Sequence, residues 1–226
     1  MSLVIYETLE QGSDAWLDAR CGMLTASVIG KLITPSLKVA DNDTSRSLTE
    51  LLTVERITHH VEYVHPSFAM QRGSLDEPLA KDVYREHFAE VDEIGFMVRD
   101  FSGFKIGFSP DGLVSTDGLI EIKSRTPRIQ LSTILADAAP RENMAQLQTG
   151  LLVSGRDWIE YLSYSGGMPL YRKRVLPDPL WFEVILAAAE KFEQAAGEIA
   201  ERYAAATQGL PMTERVDHFA EIEIEL

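Results

Sequence analysis

Two neighbouring segments decide the fold of this chain: Ser-Pro-Asp-Gly-Leu at residues 109–113 and Gly-Leu-Ile-Glu-Ile-Lys-Ser at residues 118–124. In the first, the proline fixes φ and the glycine tolerates positive φ, which predicts a turn that presents Asp111. The second predicts a β-strand, in which alternate side chains share a face. Glu121 and Lys123 therefore lie side by side on a rigid element, and the two isoleucines of the strand face the other way.

This grouping of carboxylates with a lysine suits a divalent metal ion. Mg²⁺ prefers oxygen ligands in octahedral geometry and usually takes few protein carboxylates. Asp111 and Glu121 are the expected metal ligands, and the backbone carbonyl of Ile122 could be a third. Lys123 would orient or deprotonate the attacking water, or stabilise charge that grows on a phosphate. The alternative is an amphipathic hairpin whose Glu–Lys pair faces solvent, because a Glu-x-Lys triplet alone is very common.

The wider sequence resembles the PD-(D/E)xK nuclease superfamily, and more closely the phage lambda exonuclease family of YqaJ-type viral alkaline exonucleases. The resemblance runs from about residue 11 to residue 155, and weakly through the C-terminal helix. It implies an α/β fold with a restriction-endonuclease-like core, in which helices flank a mixed central sheet, and a single exonuclease domain over residues 1–226. Five segments carry the resemblance, in this order: Trp16 and Arg20 with residues 24–27, Arg72-Gly73 with Glu77, residues 109–112, residues 121–123, and residues 144–148.

The resemblance also implies an activity. Members of the family are Mg²⁺-dependent 5′-to-3′ exonucleases, for which Mn²⁺ is a plausible substitute cofactor. They degrade one strand of linear double-stranded DNA and leave 3′ overhangs for recombination by strand annealing. The alternatives are an endonuclease of the same fold and a catalytically silent DNA-binding or assembly protein. An intact set of Asp111, Glu121 and Lys123 argues against the silent alternative.

The same resemblance implies partners and a setting. It predicts a ring-shaped homotrimer around DNA and a phage single-strand annealing protein as partner. It also predicts a phage or prophage protein in the cytoplasm of a bacterial host. The N-terminus, which lacks a basic stretch and a cleavage site, agrees with the absence of a secretory signal.

Further site residues follow from the family match. Glu77 is expected to be the third acidic catalytic residue, with binding of the metal through water as one option. The alternative is an acid that caps a helix starting near Pro78. Met70 matches an apolar wedge that separates DNA strands. The 5′-terminal phosphate would be bound by residues from three segments: Arg20, Ser27, Ser109 and Gln146. Gln148 is the alternative to Gln146.

Composition limits the class of protein. The chain has 226 residues, of which 45% are hydrophobic and 25% charged, as expected for an ordinary globular protein without a membrane span. The single cysteine, Cys21, excludes an intrachain disulfide and a four-cysteine iron–sulfur site. A net charge of −14 opposes binding to the DNA backbone. We therefore expect an acidic exterior with basic residues such as Lys123, Arg125 and Arg128 on an inner surface.

Hydrophobic periodicity and turn residues predict the remaining elements. The basic cluster at residues 172–174 could contact DNA or protect an edge strand. The strands before residue 109 could share one sheet with the strand at residues 118–124. Helices are predicted over residues 13–20, 25–33, 47–60, 68–88 (as one helix or broken near Gly73), 128–137, 141–154 and 180–206, and strands over residues 93–99, 104–108, 157–164 and 170–176.

Overall fold

A computed structural model describes residues 2–62 and 64–216 of the chain. In this part of the chain the helices are α1 (Asp14–Arg20), α2 (Asp43–Thr58), α3 (Phe68–His87), α4 (Pro127–Ala136), α5 (Arg141–Ser154) and α6 (Pro179–Ala206), with a 3₁₀ turn at Ile29–Leu32. The strands are β1 (Ser2–Tyr6), β2 (Leu24–Thr25), β3 (Phe96–Asp100), β4 (Lys105–Phe108), β5 (Gly112–Val114), β6 (Gly118–Ser124), β7 (Trp158–Tyr164) and β8 (Tyr171–Val175).

Within the described residues the strands form two four-stranded sheets. One has the order β1-β3-β4-β2 and the other the order β5-β6-β7-β8. Each is mixed, because β2 pairs in parallel with β4 and β6 in parallel with β7, while the other pairs are antiparallel. The strands before residue 109 therefore do not share a sheet with β6. The turn at residues 109–111 redirects the chain from β4 to β5, so that the end of one sheet lies beside the start of the other.

Strand β6 separates two hydrophobic cores. Leu119 packs in the core that includes Leu147 of α5, whereas Ile120 and Ile122 pack in the core that includes Tyr84 of α3. The predicted alternation along this strand is confirmed. Helices therefore cover both faces of the sheet, and Glu121 lies on the face that α5 covers.

Helix α3 corrects the expectation of a helix start near Pro78. The helix begins after Ser67, whose side chain accepts a hydrogen bond from the N–H of Met70, and it runs without a break to residue 87. A proline inside a helix removes one backbone hydrogen bond and is usually unfavourable. Here the next turns bury Ala80 and Tyr84 against the sheet, and this packing keeps the segment helical through the proline.

Residues 25–33 do not form the predicted α-helix. Thr25 ends β2, where it lies opposite Gly107 of β4, and the N–H of Ala26 donates to the carbonyl of Gly107 at 2.9 Å. A short 3₁₀ turn then buries Ile29 and Leu32. Apolar residues spaced three or four apart also fit such a turn, so the periodicity alone could not distinguish the two structures.

The basic cluster of β8 lies on the edge strand of its sheet. Arg172 and Arg174 both donate to Oε1 of Glu160, at 2.8 and 3.0 Å, and Glu160 is only 1% exposed. Lys173 pairs with Asp137 at 2.9 Å. All three cations therefore pair with carboxylates of the chain, which favours the edge-strand interpretation over a free DNA-binding patch.

Across the described residues, no helix combines the length and apolar character that spanning a bilayer requires.

Candidate active site

Strand β6 brings Glu121 and Lys123 together, as its alternation predicts. The Lys123 Nζ donates to Glu121 Oε1 at 2.7 Å, and the Glu121 side chain is only 3% exposed. Burial lowers the pKa of Lys123, but the charges of Glu121 and Asp111 outweigh it, and the net shift in pKa is upward. Lys123 is therefore a cation in this arrangement, a state suited to stabilising negative charge and not to removing a proton from water.

The turn after β4 places Asp111 against the same strand. Since Gly112 of β5 pairs with Ile120 of β6 in antiparallel register, the preceding residue Asp111 lies across from Glu121. Its Oδ2 accepts the backbone N–H of Ile122 at 2.5 Å. Burial, followed by the charges of Glu121 and Glu77, raises the pKa of Asp111 well above its ordinary value. Two acidic side chains are thus held together where water solvates them poorly.

The donor atoms of this cluster fit a hard divalent cation. Glu121 Oε2 is buried and has no hydrogen-bond partner, which is rare for a buried oxygen and costly unless a cation or donor meets it. The N–H and C=O of a strand residue point to the same side, so the Ile122 carbonyl faces the side on which Asp111 lies. In the described residues, no three His, Cys, Asp or Glu side chains are arranged around one point as a ready metal site. The set consists instead of two carboxylates and a carbonyl, which agrees with the few protein ligands that Mg²⁺ takes.

Glu77 lies in the middle of α3 and faces the same cavity. Its charge helps to raise the pKa values of both Asp111 and Glu121. Its carboxylate, however, pairs with Lys81 Nζ at 2.9 Å. Glu77 therefore lies beside the two-carboxylate cluster. Its own partner, Lys81, is one helical turn further along α3.

Arg20 and Ser27 meet at the other side of the cavity. The Arg20 guanidinium donates to the hydroxyls of Thr25 and Ser27, at 3.4 Å each, and those hydroxyls lie 3.1 Å apart. Burial lowers the pKa of Arg20 to about 10, against the opposing effect of Glu55, so the group stays charged at neutral pH. A guanidinium and two hydroxyls form a donor set that can bind a phosphate.

Trp16 links this donor set to the turn that carries Asp111. Its indole Nε1 donates to the Ser109 hydroxyl at 3.0 Å, and the Arg20 guanidinium lies over its ring, 3.7 Å from the centroid. Ser109 is two residues from Asp111. One aromatic side chain of α1 thus touches two candidate phosphate ligands that are far apart in sequence.

Gln146 reaches the carboxylate cluster from α5. Its Nε2 donates to Glu121 Oε1 at 2.6 Å. The alternative, Gln148, is 1% exposed and bonds instead to the carbonyl of Leu176 and the N–H of Asp178. Gln146 is therefore the glutamine of this helix that faces the site.

A single cavity of about 520 Å³ joins these groups. Met70, which is 57% exposed, stands at its rim beside Ala69, and Phe68, which is 91% exposed, precedes them. The lining includes every site residue that the sequence predicts: Arg20, Ser27, Met70, Glu77, Ser109, Asp111, Glu121, Ile122, Lys123 and Gln146.

Comparison with known proteins identifies the family. The sequence profile of the YqaJ-like viral recombinase domain matches residues 15–157, which is more than half of the chain. The chain belongs to the YqaJ-like viral recombinase family. The matched range contains α1 from its second residue onward, the turn at Asp111, all of β6 and helix α5, and so covers the whole candidate site. The family resemblance predicted from sequence is confirmed.

Solved structures agree with this YqaJ-like assignment. An alkaline exonuclease from Laribacter hongkongensis, LHK-Exo, is 27% identical with a TM-score of 0.78, over 88% of this chain and 100% of that one. The same enzyme in complex with dAMP is 28% identical with a TM-score of 0.77, over the same shares of the two chains. A phage-related exonuclease from Haemophilus somnus 129PT is 14% identical with a TM-score of 0.53, over 78% and 96%, and shares the fold. The predicted α/β class with a restriction-endonuclease-like core is confirmed. No curated protein sequence matches the chain.

The YqaJ-like site also contains contacts that sequence reasoning missed. Trp16 and Arg72 belong to the segments that carry the family resemblance, but the sequence predicts no role for either. Ser124, the residue after Lys123, donates to Asp76 at 2.6 Å and accepts from Arg72 at 2.9 Å. This group ties the end of β6 to α3, the helix that carries Glu77. Arg72 and Asp76 are four residues apart on a helix, and this spacing of opposite charges is too common for the sequence to indicate the contact with Ser124.

Proposed function

We propose that this chain is a Mg²⁺-dependent exonuclease that degrades one strand of linear double-stranded DNA from 5′ to 3′, leaving 3′ overhangs for strand annealing. The observation that carries the proposal is the buried, unpartnered Glu121 Oε2 next to Asp111, in one cavity with a guanidinium and hydroxyls suited to phosphate. The likeness to an alkaline exonuclease at 27% identity supports the same class of reaction. The proposed domain spans residues 1–226.

In this proposal Asp111, Glu121 and the Ile122 carbonyl hold the cation, with Glu77 acting through a water molecule. Mg²⁺, or Mn²⁺ in its place, supplies Lewis acidity and an activated water when bound. Burial raises the pKa of Glu121, and Lys123, which donates to Oε1 together with Gln146, opposes that rise. Lys123, as a cation, stabilises the negative charge that grows on the phosphate oxygens.

The direction of degradation comes from the proposed phosphate pocket. Arg20, Ser27, Ser109 and Gln146 bind the 5′-terminal phosphate, which sets the first phosphodiester over the carboxylates. Water oxygen bonds to phosphorus and gives up one proton to solvent, the bond from phosphorus to the 3′ oxygen breaks, and the leaving 3′ oxygen takes one proton from solvent to become a hydroxyl. The shortened strand then carries a new 5′-phosphate, so the same pocket can bind it in the next cycle.

The proposed DNA path requires the strands to separate at the mouth of the cavity. Met70 acts there as the apolar wedge between the two strands, because it is exposed at the rim and has no polar group that would compete for the bases. One strand then enters the cavity, and the other leaves as the 3′ overhang.

We further propose a ring-shaped homotrimer, with a phage single-strand annealing protein as partner, in a bacterial host cell. Family membership supports this assembly. A ring would hold the chain on DNA by topology, which offsets the repulsion expected from a net charge of −14. Light scattering tests the proposal: a particle of three times the 25.2 kDa chain mass is expected, and a monomer at working concentration contradicts it.

One digestion experiment tests the activity itself. Linear, nicked-circular and closed-circular duplexes, labelled at either end, are incubated with Mg²⁺, Mn²⁺ or EDTA, with Glu121→Gln as the inactive control. We expect mononucleotide release from 5′ ends of linear DNA only, and only with metal. Cutting of closed circles would indicate an endonuclease, and binding of DNA without cleavage a silent binding protein.

A further inference from the structure

The two oxygens of Glu121 have different surroundings. Oε1 accepts two hydrogen bonds, from Lys123 Nζ at 2.7 Å and from Gln146 Nε2 at 2.6 Å. Oε2 is buried and has no hydrogen-bond partner. Because a carboxylate is planar, fixing Oε1 between two donors also fixes the direction of Oε2.

From this geometry we infer that Gln146 is a positioning residue for the metal site, in addition to its proposed contact with the terminal phosphate. It holds the Glu121 carboxylate so that Oε2 is presented to the cation. The inference rests on the proposed function, since it assigns Gln146 a task toward the cation that Asp111 and Glu121 would hold.

The amide of Gln146 suits this task chemically. Its NH₂ group has two donor hydrogens, so one can remain on Glu121 while the other is available to a phosphate. The opposite amide orientation would set its carbonyl against the Glu121 carboxylate, which electrostatics disfavour. Unlike Lys123, the amide is neutral, so it orients the carboxylate without cancelling the negative charge that attracts a cation.

The backbone that carries Gln146 is firmly anchored. Its neighbours Ala145 and Leu147 are 6% and 0% exposed, and both belong to the core beneath the Glu121 face of β6. The Lys123 side chain is 26% exposed and rotates about more bonds. Gln146 is thus the better-fixed of the two donors, and residues that orient a metal ligand typically contribute 10–100-fold in metal affinity.

A metal titration without DNA tests the inference separately from catalysis. Calorimetry with Mn²⁺ and with Mg²⁺ compares the wild type with Gln146→Met, which keeps the volume but loses the donor, and Gln146→Asn, which draws the amide back by one methylene. The matched control is Gln194→Met, because Gln194 donates to Glu198 Oε1 at 3.0 Å on the exposed part of α6. Thermal unfolding of each metal-free protein checks the fold.

We expect metal affinity to fall by about 10–100-fold in both Gln146 variants, with the Tm of the metal-free protein unchanged and with wild-type affinity in the control. Unchanged metal affinity in the Gln146 variants overturns the inference and leaves the proposed nuclease intact. A parallel loss of Tm and affinity in both variants assigns Gln146 to fold stability and also overturns it. A wild-type chain that binds neither cation overturns the proposed function first, and the inference with it.

Discussion

The indole N–H of Trp16 donates to the Ser109 hydroxyl at 3.0 Å, between residues 93 positions apart in sequence. Trp16→Phe removes this donor but keeps a ring beneath the Arg20 guanidinium. We expect digestion of 5′-phosphorylated ends to slow by about 2- to 10-fold, equivalent to one hydrogen bond of about 0.5–1.5 kcal/mol, with little change for 5′-hydroxyl ends. Initial rates on the two substrates measure this. Trp181→Phe is the control and should change neither rate, because Trp181 lies beside a different cavity. Equal slowing of both substrates by Trp16→Phe would contradict the prediction.

Arg20 supplies the charge of the proposed phosphate pocket. Its pKa of about 10 keeps it protonated at neutral pH, and a charge-assisted hydrogen bond is worth roughly 1.5–3 kcal/mol. Arg20→Ala should therefore slow digestion of 5′-phosphorylated ends by about 10- to 150-fold and leave 5′-hydroxyl ends nearly unaffected. Arg46→Ala is the matched control, since Arg46 forms exposed ion pairs with Asp41 and Asp43. If both kinds of end are slowed equally, Arg20 is a general DNA or structural contact.

Asp111 is expected to destabilise the metal-free protein. Burial and the charges of its acidic neighbours raise the pKa of Asp111 in the folded state. The stability that protonated Asp111 contributes is therefore fully present below its ordinary pKa, and it is lost as pH rises through the raised pKa of the folded state. Asp111→Asn keeps an acceptor for the Ile122 N–H without the charge. At pH 8 the metal-free variant should melt several degrees higher than the wild type, at about 2–4 °C per kcal/mol.

Bound Mg²⁺ should reverse the order of the Tm values of the wild type and Asp111→Asn. Saturating Mg²⁺ should raise the Tm of the wild type by binding the folded state, and should leave Asp111→Asn unchanged and inactive. Since protons compete with the cation for carboxylates of raised pKa, wild-type metal affinity should fall as pH falls. Thermal unfolding with and without Mg²⁺ across pH measures both effects, and a variant that Mg²⁺ stabilises as strongly as the wild type would remove Asp111 from the ligand set.

Lys123 should matter for cleavage more than for metal binding. Its pKa is raised by the neighbouring carboxylates, so it acts as a cation toward the phosphate. Lys123→Met should reduce single-turnover cleavage by about 10²–10³-fold, the usual effect of losing one transition-state donor, while metal still binds. Lys191→Met is the control, because Lys191 of α6 pairs with the exposed Asp41. Loss of metal binding in step with cleavage would instead make Lys123 a structural partner of Glu121.

Met70 should matter only while duplex ends are being opened. Met70→Ala should slow digestion of blunt duplexes several-fold, because the wedge no longer stabilises separated strands, but should not slow substrates whose last base pairs are mismatched. Met212→Ala provides a control at an exposed methionine that does not line the cavity, since Met212 is 89% exposed against 57% for Met70. Rates on matched and mismatched ends measure the difference, and an equal effect on the two would contradict the wedge.

Much of the site could be predicted because several of its residues lie in short, continuous segments whose local structure fixes their positions. The alternation of GLIEIKS places Glu121 and Lys123 on one face whatever surrounds the strand, and the turn before it needs only Pro110 and Gly112. The roles of the phosphate-binding candidates came from the family resemblance, and their convergence on one cavity is a property of the fold. Where periodicity was ambiguous, as at residues 25–33, sequence reasoning chose the wrong element.

The sequence by itself determined most of the helices and strands and the face of β6 that carries the acidic and basic groups, because those follow from backbone geometry within a few residues. Only the tertiary structure decided that Gln146 and not Gln148 meets Glu121, that Trp16 reaches Ser109, and that α3 runs through Pro78. Each of these depends on contacts between segments distant in the chain. Packing of buried side chains fixes such contacts, and no local propensity encodes it.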